Sequence, residues 1–321
     1  MSNFVSVIIP CYNVENYIAE GIESVLAQSY PHFELILVDN NSSDNTVTIL
    51  ENFAHQYPDK IQVFHQPKAG APAARNLGLS HAKGNWIQFL DADDLMLPDK
   101  LEDQLSMVNE NDPLVVGTPR YQKLDGTTFI MEPWKDPIMG LFEGLSQGNT
   151  CCNLWNKKYL DKVNAWDEDL KFQQDYDLIF RIVQLNDKVV HDYKVSVLIR
   201  ERPYGQITKK DPRGIRIAIL DLRIKMIEYL KTNKPVYFVK NQTFYYQTLY
   251  RFIRYLAECD LDLAEQYYQK HLPANFKPKH SKETYIPLWN AKLVPLLGFR
   301  RAESLKVFLK QSIGKAGSFF S

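Results

Sequence analysis

VSVIIPCYNVENYIAEGIESVLAQSYPHFELILVDN, residues 5–40, holds the fold in miniature. Val5 to Ile9 is a β-branched run, Ile18, Ile22, Val25 and Leu26 recur at helical spacing, and Leu35 to Val38 is a second β-branched run. Two parallel strands need a crossover, and a helix between them supplies one, so the stretch reads as a β-α-β unit. The pattern continues outward. Val47, Leu50 and Phe53 mark a second helix, Ile61 to Phe64 a third strand, a shorter Ala-rich helix opens at Pro72, and Trp86 to Leu90 is a fourth strand. The expected class is α/β, with a mostly parallel, Rossmann-like sheet flanked by helices.

From about Leu114 the alternation fades, with a hairpin predicted around Leu124 to Thr127 and a helix around Leu141. After the loop Glu201 to Pro212 the pattern turns helical: Ile215 to Leu230, Phe238 to Cys259 and Leu261 to Leu272. Three regions follow: 1–115, 116–211 as a second half of the same domain, and a C-terminal helical extension, 212–321.

At 321 residues and 45% hydrophobic the chain can bury a full core. Lys plus Arg (38) equal Asp plus Glu (38), so no global field draws it to nucleic acid, and electrostatic function must come from local clusters. Cys11, Cys151, Cys152 and Cys259 show neither zinc-site spacing nor the density of a disulfide framework, which suits a reducing cytoplasm. No apolar run reaches the roughly 18 residues of a spanning helix. A basic amphipathic stretch near the end has Leu305, Phe308, Leu309 and Ile313 on one face, with Glu303 the one acid among Arg300, Arg301, Lys306, Lys310 and Lys315. It would lie on the inner face of an anionic membrane, or pack on its own domain or a second copy in a homodimer.

In open parallel sheets, ligands collect beyond the carboxyl ends of strands. The first strand ends in Pro10-Cys11-Tyr12-Asn13, the second in Asp39 and a polar loop, the fourth in Asp91-Ala92-Asp93-Asp94. Asp91 and Asp93, one residue apart just past a strand, suit a hard divalent cation shared with phosphate oxygens, Mn²⁺ or Mg²⁺. Asp is also a common turn residue, and Tyr12 would serve equally as a packed ring. The first strand-to-helix turn lacks G-x-G-x-x-G, which excludes a dinucleotide-binding dehydrogenase.

VSVIIPCYNVENYI, SVLAQSYPHFELILVDNNSSDNT and GAPAARNLGLSHAKGNWIQFLDADDLMLPDKL together resemble the family 2 glycosyltransferases of GT-A fold over about the first hundred residues. The resemblance implies a nucleotide-sugar site in 1–115 and an acceptor-binding, base-carrying half in 116–211. Pro10, Tyr12, Asn13, Asp39, Arg75, Asn76, Asp91 and Ala92 would bind the donor, a UDP-sugar, with Tyr12 and Asp39 at the base. Asp93, with Asp91, would hold the cation. QQDYDLIFRI, from Gln173 to Ile182, is similar to the family's E-D segment, making Asp175 the general base of an inverting transfer to a saccharide or lipid-linked acceptor for surface polysaccharide or glycoconjugate synthesis. Gln174 and Trp155 would contact the acceptor. The sequence departs from the family at Asn40, commonly a second Asp, and at Gln174, commonly Glu. The second departure leaves open a catalytically weak nucleotide-sugar-binding protein.

Overall fold

The computed structural model describes residues 3–144, 149–203, 211–280 and 285–312. The chain divides into two compact units, residues 1–205 and 206–321.

The first unit opens as the sequence predicts, with β1 (Val5–Cys11), α1 (Ile18–Leu26), β2 (Phe33–Asp39), α2 (Thr46–Gln56), β3 (Ile61–His65), α3 (Ala71–His81) and β4 (Trp86–Phe89). It continues through β5 (Leu95–Met96), α4 (Lys100–Met107), β6 (Leu114–Gln122), β7 (Thr128–Ile130), α5 (Pro137–Glu143), β8 (Leu154–Asn156), α6 (Lys157–Lys162), α7 (Gln174–Leu185) and β9 (Val190–Arg200). The described strands form one nine-stranded sheet in the order β3-β2-β1-β4-β8-β6-β9-β5, with β7 paired to β6. Its first four strands are parallel, so the carboxyl ends of β2, β1 and β4 lie side by side along one edge. The rest is mixed: β8 runs antiparallel to β4 and β6, whereas β9 runs parallel to β6. Region 116–200 therefore extends the sheet of the first 115 residues rather than forming a separate layer.

Strands β1 and β2 are buried on both faces, which explains their near-continuous apolar character. Ile18, Ile22 and Val25 of α1 and Leu50 of α2 close one side over Val5, Val7, Ile9, Leu35 and Leu37. α3 lies close on the sheet because Gly78 carries no side chain: a Cβ there would stand 2.5 Å from Ile8 Cγ2. β5 is set in place by sequence-distant partners. Leu95 and Met96 pair antiparallel with Leu198 and Val197 of β9, and Leu97 N–H donates to the Ser196 carbonyl at 2.9 Å.

The second unit is helical: α8 (Pro212–Asn233), α9 (Pro235–Ala257), α10 (Leu261–His271), α11 (Leu288–Leu297) and α12 (Phe299–Ser312). A buried polar chain ties three of them, since Arg254 of α9 and Asn290 of α11 both donate to Glu303 Oε1 of α12 at 2.7 Å, and Tyr250 donates to Asn290 at 2.5 Å. Glu303 thus faces inward. Lys306, expected on a lipid-facing surface, is mostly buried and paired with Glu258 at 3.0 Å. Ile313 and Lys315 lie outside the described residues, as do the side chains of Phe308, Leu309 and Lys310. No described helix is long and apolar enough to cross a membrane.

Candidate active site

The parallel edge carries the chemistry. At the end of β1, Tyr12 is 61% exposed, unlike the packed ring that a purely structural role would give. Asn13 adopts a left-handed conformation (φ 50°), and its Oδ1 accepts from Ser43 N–H at 2.8 Å, so it fixes the loop beyond β2. Pro10 is half-buried within β1.

At the end of β2, Asp39 is buried with its carboxylate engaged. It accepts from the N–H groups of Asn41 and Ser42, each at 3.2 Å, and lies 2.9 Å from His65 Nδ1. A carboxylate has about four acceptor positions, so these contacts leave capacity for one further donor. Asn40 next to it shows why the acid common in the family is absent. Its Nδ2 donates to the carbonyls of Gln66 (2.8 Å) and Lys68 (2.7 Å), and its Oδ1 accepts from Gly70 N–H (2.7 Å). A carboxylate cannot donate. Asn40→Asp is therefore expected to destabilise the unit by at least about 1–3 kcal/mol, the cost of stranding buried acceptors. Denaturant melts of the two chains measure it, and coincident melts would show that the clasp contributes nothing.

α3 delivers Arg75 and Asn76. Arg75 is buried, its Nη2 2.7 Å from Asp91 Oδ1 and its guanidinium 4.6 Å from the centre of the Trp166 ring. Burial opposes its charge, but Asp91 and then Asp175 outweigh that and hold it firmly protonated. Arg75 is thus held in place on both sides rather than solvated. Asn76 points elsewhere: it donates to the Trp166 carbonyl (2.9 Å) and Glu168 (2.8 Å), and accepts from Trp166 N–H (3.0 Å). It anchors the segment leading to α7.

Past β4, the turn 91–94 gathers three carboxylates. Asp91 is well exposed, Asp93 is held 2.5 Å from Arg202 Nε, and Asp94 is buried, its Oδ1 accepting from Arg200 N–H at 3.0 Å. Burial, then repulsion from Asp91, raises the Asp93 pKa above the ordinary value, against the pull of Arg202. Burial and then both neighbouring acids raise Asp94 further. The carboxylate oxygens of Asp91 and Asp94 and the Cys151 sulfur lie within 4.8 Å of one another. Burial first and then Asp91 and Asp94 push the Cys151 pKa up, and its sulfur accepts from Asp91 N–H at 3.2 Å. Ala92 is buried, its carbonyl close against Gly21 of α1. Three mutually repelling carboxylates at a strand end, with hard oxygen donors and one acid open to solvent, fit a divalent cation.

Asp175 sits in the first turn of α7, half-buried. Thr150 Oγ1 donates to its Oδ1 at 2.5 Å. Burial raises its pKa; Arg75 and Thr150 pull it back, Asp91 pushes it up, and the net shift is upward. Thr150 and Cys151 lie in one short turn, so residues 150–151 bridge the base candidate to the carboxylate turn. No motif marks Thr150, Cys151 or Arg202 in the sequence, because each acts through a partner far along the chain.

One expected acceptor contact is corrected. Trp155 is fully buried in β8 between β4 and β6, its ring edge-on to Phe89 and beside Trp166, so it packs the core and has no face for a substrate. Gln174 turns its Nε2 back to the Leu170 carbonyl at 2.7 Å, closing the chain ahead of α7.

The model of the family described as Glycosyl transferase family 2 matches residues 6–172. An uncharacterized glycosyltransferase of Rickettsia felis is 35% identical over 215 residues, which are 63% of this chain and 34% of that one. The minor teichoic acid biosynthesis protein GgaB of Bacillus subtilis is 29% identical over 248 residues, 71% of this chain and 27% of that one. The chain thus spans about a third or less of the length of these curated relatives. Among solved structures, residues 1–349 of S. aureus TarS in complex with UDP-GlcNAc superpose with a TM-score of 0.57 at 20% identity, covering 79% of this chain and 81% of that one. At that identity the likeness is one of fold.

Proposed function

The chain belongs to glycosyl transferase family 2, and from that premise we propose that it is an enzyme transferring a sugar from a nucleotide diphosphate, UDP, to an acceptor hydroxyl with inversion and with the aid of a divalent cation. The observation that carries this reading is the shared edge: exposed Tyr12, Asp39 and the acidic turn 91–94 end three adjacent parallel strands, and Thr150 and Cys151 link that turn to Asp175. The complex of similarly folded TarS with UDP-GlcNAc supports the nucleotide. The relation to a teichoic acid biosynthesis protein supports a saccharide or lipid-linked acceptor from surface polymer synthesis, met at the cytoplasmic face of a membrane.

In this reading Tyr12 stacks on the base and Asp39 uses its remaining acceptor position for the ring N–H. Arg75 orients Asp91. Asp91 and Asp93 would hold Mn²⁺ or Mg²⁺, which when bound offsets the charge that builds on the departing diphosphate. Thr150 fixes one oxygen of Asp175, and the other takes the proton of the attacking hydroxyl as it approaches the anomeric carbon opposite the leaving group. No covalent nucleophile is needed, and the anomeric configuration inverts.

A panel of UDP-, GDP- and other nucleotide sugars, with Mn²⁺ and a broad acceptor set and a nucleotide-release readout, tests the reading. UDP-sugars are expected to dominate turnover. Binding of UDP without turnover on any acceptor would favour the non-catalytic alternative. Tyr12→Ala is expected to weaken UDP binding by about 1–3 kcal/mol, the usual worth of a base–aromatic stack, with an unchanged melt because the ring is exposed. Equal affinities would remove Tyr12 from the base site.

A further inference from the structure

Two arginines, Arg200 at the end of β9 and Arg202 just past it, return to the acidic turn. Arg200 is a strut: its N–H goes to Asp94, its Nε to the Asp93 carbonyl at 2.6 Å, and a terminal nitrogen to Glu20. Arg202 differs in what it occupies. Its Nε lies 2.5 Å from Asp93 Oδ2, with 29% of its side chain exposed against 13% for Asp93, and its guanidinium 5.7 Å from the Tyr17 ring centre. The carboxylate assigned above to the cation is thus already neutralised by a protein cation.

Two cations drawing on one carboxylate in this geometry repel each other. Divalent metals of this class sit about 2.0–2.2 Å from oxygen, which would bring the metal within roughly 5 Å of a guanidinium already 2.5 Å from the same atom. Resting on the donor-site reading above, we propose that Arg202 is a resident counter-ion on Asp93 that the metal displaces, and that the released guanidinium takes the diphosphate of the donor. The planar fork of arginine matches phosphate oxygens bidentately, so nucleotide gives the displaced side chain a new partner. Metal alone offers it none. Arg202 is accordingly a positioning residue that couples the two ligands: it weakens binding of the cation by itself and strengthens binding of cation and nucleotide together. Linkage makes that coupling reciprocal.

The test is titration of the full chain and of Arg202→Gln with Mn²⁺, read by the electron paramagnetic resonance signal of free Mn²⁺, with and without saturating UDP, and with UDP at fixed Mn²⁺ by calorimetry. Arg202→Gln is expected to bind Mn²⁺ alone about tenfold more tightly and UDP with Mn²⁺ about tenfold more weakly, within the range typical of coupled sites. Arg202→Lys should recover part of the UDP affinity. Lys68→Gln, which removes one positive charge paired with Glu168 rather than with the acidic turn, should leave Mn²⁺ affinity unchanged. A variant that loses both affinities together, or changes neither, overturns the proposal, as does equal tightening in Lys68→Gln. An unaltered chain that binds neither Mn²⁺ nor UDP overturns the donor-site reading itself.

Discussion

Replacing Asp175 by Asn is expected to lower turnover about 10²–10⁴-fold while UDP affinity stays near that of the unaltered chain, the usual worth of a general base. The amide keeps the size of the side chain and can still accept from Thr150, so the change removes the proton acceptor and little else. Binding and chemistry then separate. The upward shift of the carboxyl pKa, caused first by burial, adds a second signature. A base works deprotonated, so the acid limb of the turnover profile should lie above the ordinary aspartate value and vanish in Asp175→Asn. Asp177→Asn is the informative control, because Asp177 pairs with Arg181 one turn along at 2.7 Å. It should lower the melting temperature yet spare turnover per folded molecule. Near-normal turnover of Asp175→Asn, or a product with the anomeric configuration of the donor, would assign the chemistry elsewhere.

Removal of divalent cation should cost nearly as much. Excess chelator is expected to reduce sugar transfer on the order of 10³-fold, because charge on a departing diphosphate is worth several kcal/mol when offset by a metal. Mn²⁺ or Mg²⁺ should restore it, and Asp91→Asn and Asp93→Asn should raise the concentration required. The carboxylate cluster motivates this: Asp91, Asp93 and Asp94 repel one another, and that repulsion contributes to the raised pKa values of the last two. Full activity in chelator would leave the acidic turn with a purely structural role.

Much of the first half of the fold is legible in the sequence. Periodicity locates β1 to β4 and the helices between them because β1, β2 and β4 are buried on both faces and α1 shows one apolar stripe, while β3 is partly exposed. β8 and β9 take their directions from long-range pairing, which local pattern does not encode. Among site residues, those at strand ends were readable and their partners were not. Asp94 looked like one more turn acid, and Thr150 and Cys151 like ordinary small residues. Trp155 is not legible because an aromatic in the region expected to bind the acceptor reads the same in sequence whether it faces a cleft or the core. Asn40 and Gln174 share one explanation. Each replaces an acid common in the family by its amide, and each amide donates to main-chain carbonyls, Gln66 and Lys68 in one case and Leu170 in the other. They are local solutions to backbone satisfaction, and neither subtracts a charge from Asp39 or Asp175.

The pairing of β5 with β9 has a consequence for the order in which the molecule is made. The acidic turn leaves the ribosome early, but the groups that fix Asp93 and Asp94 belong to Arg200, about a hundred positions later, the Arg200 to Asp94 bond alone spanning 106 residues. At roughly 5–20 residues per second, the β1 to β4 sheet has about 5–20 s to collapse before those partners exist. The β1 to β4 sheet pairs over shorter separations than that bond, and the contacts of Arg200 close on top of it. The three acids are neighbours in the chain from the start, so what arrives late is the arginine that ties them down, and until then their repulsion is borne by a turn open to water.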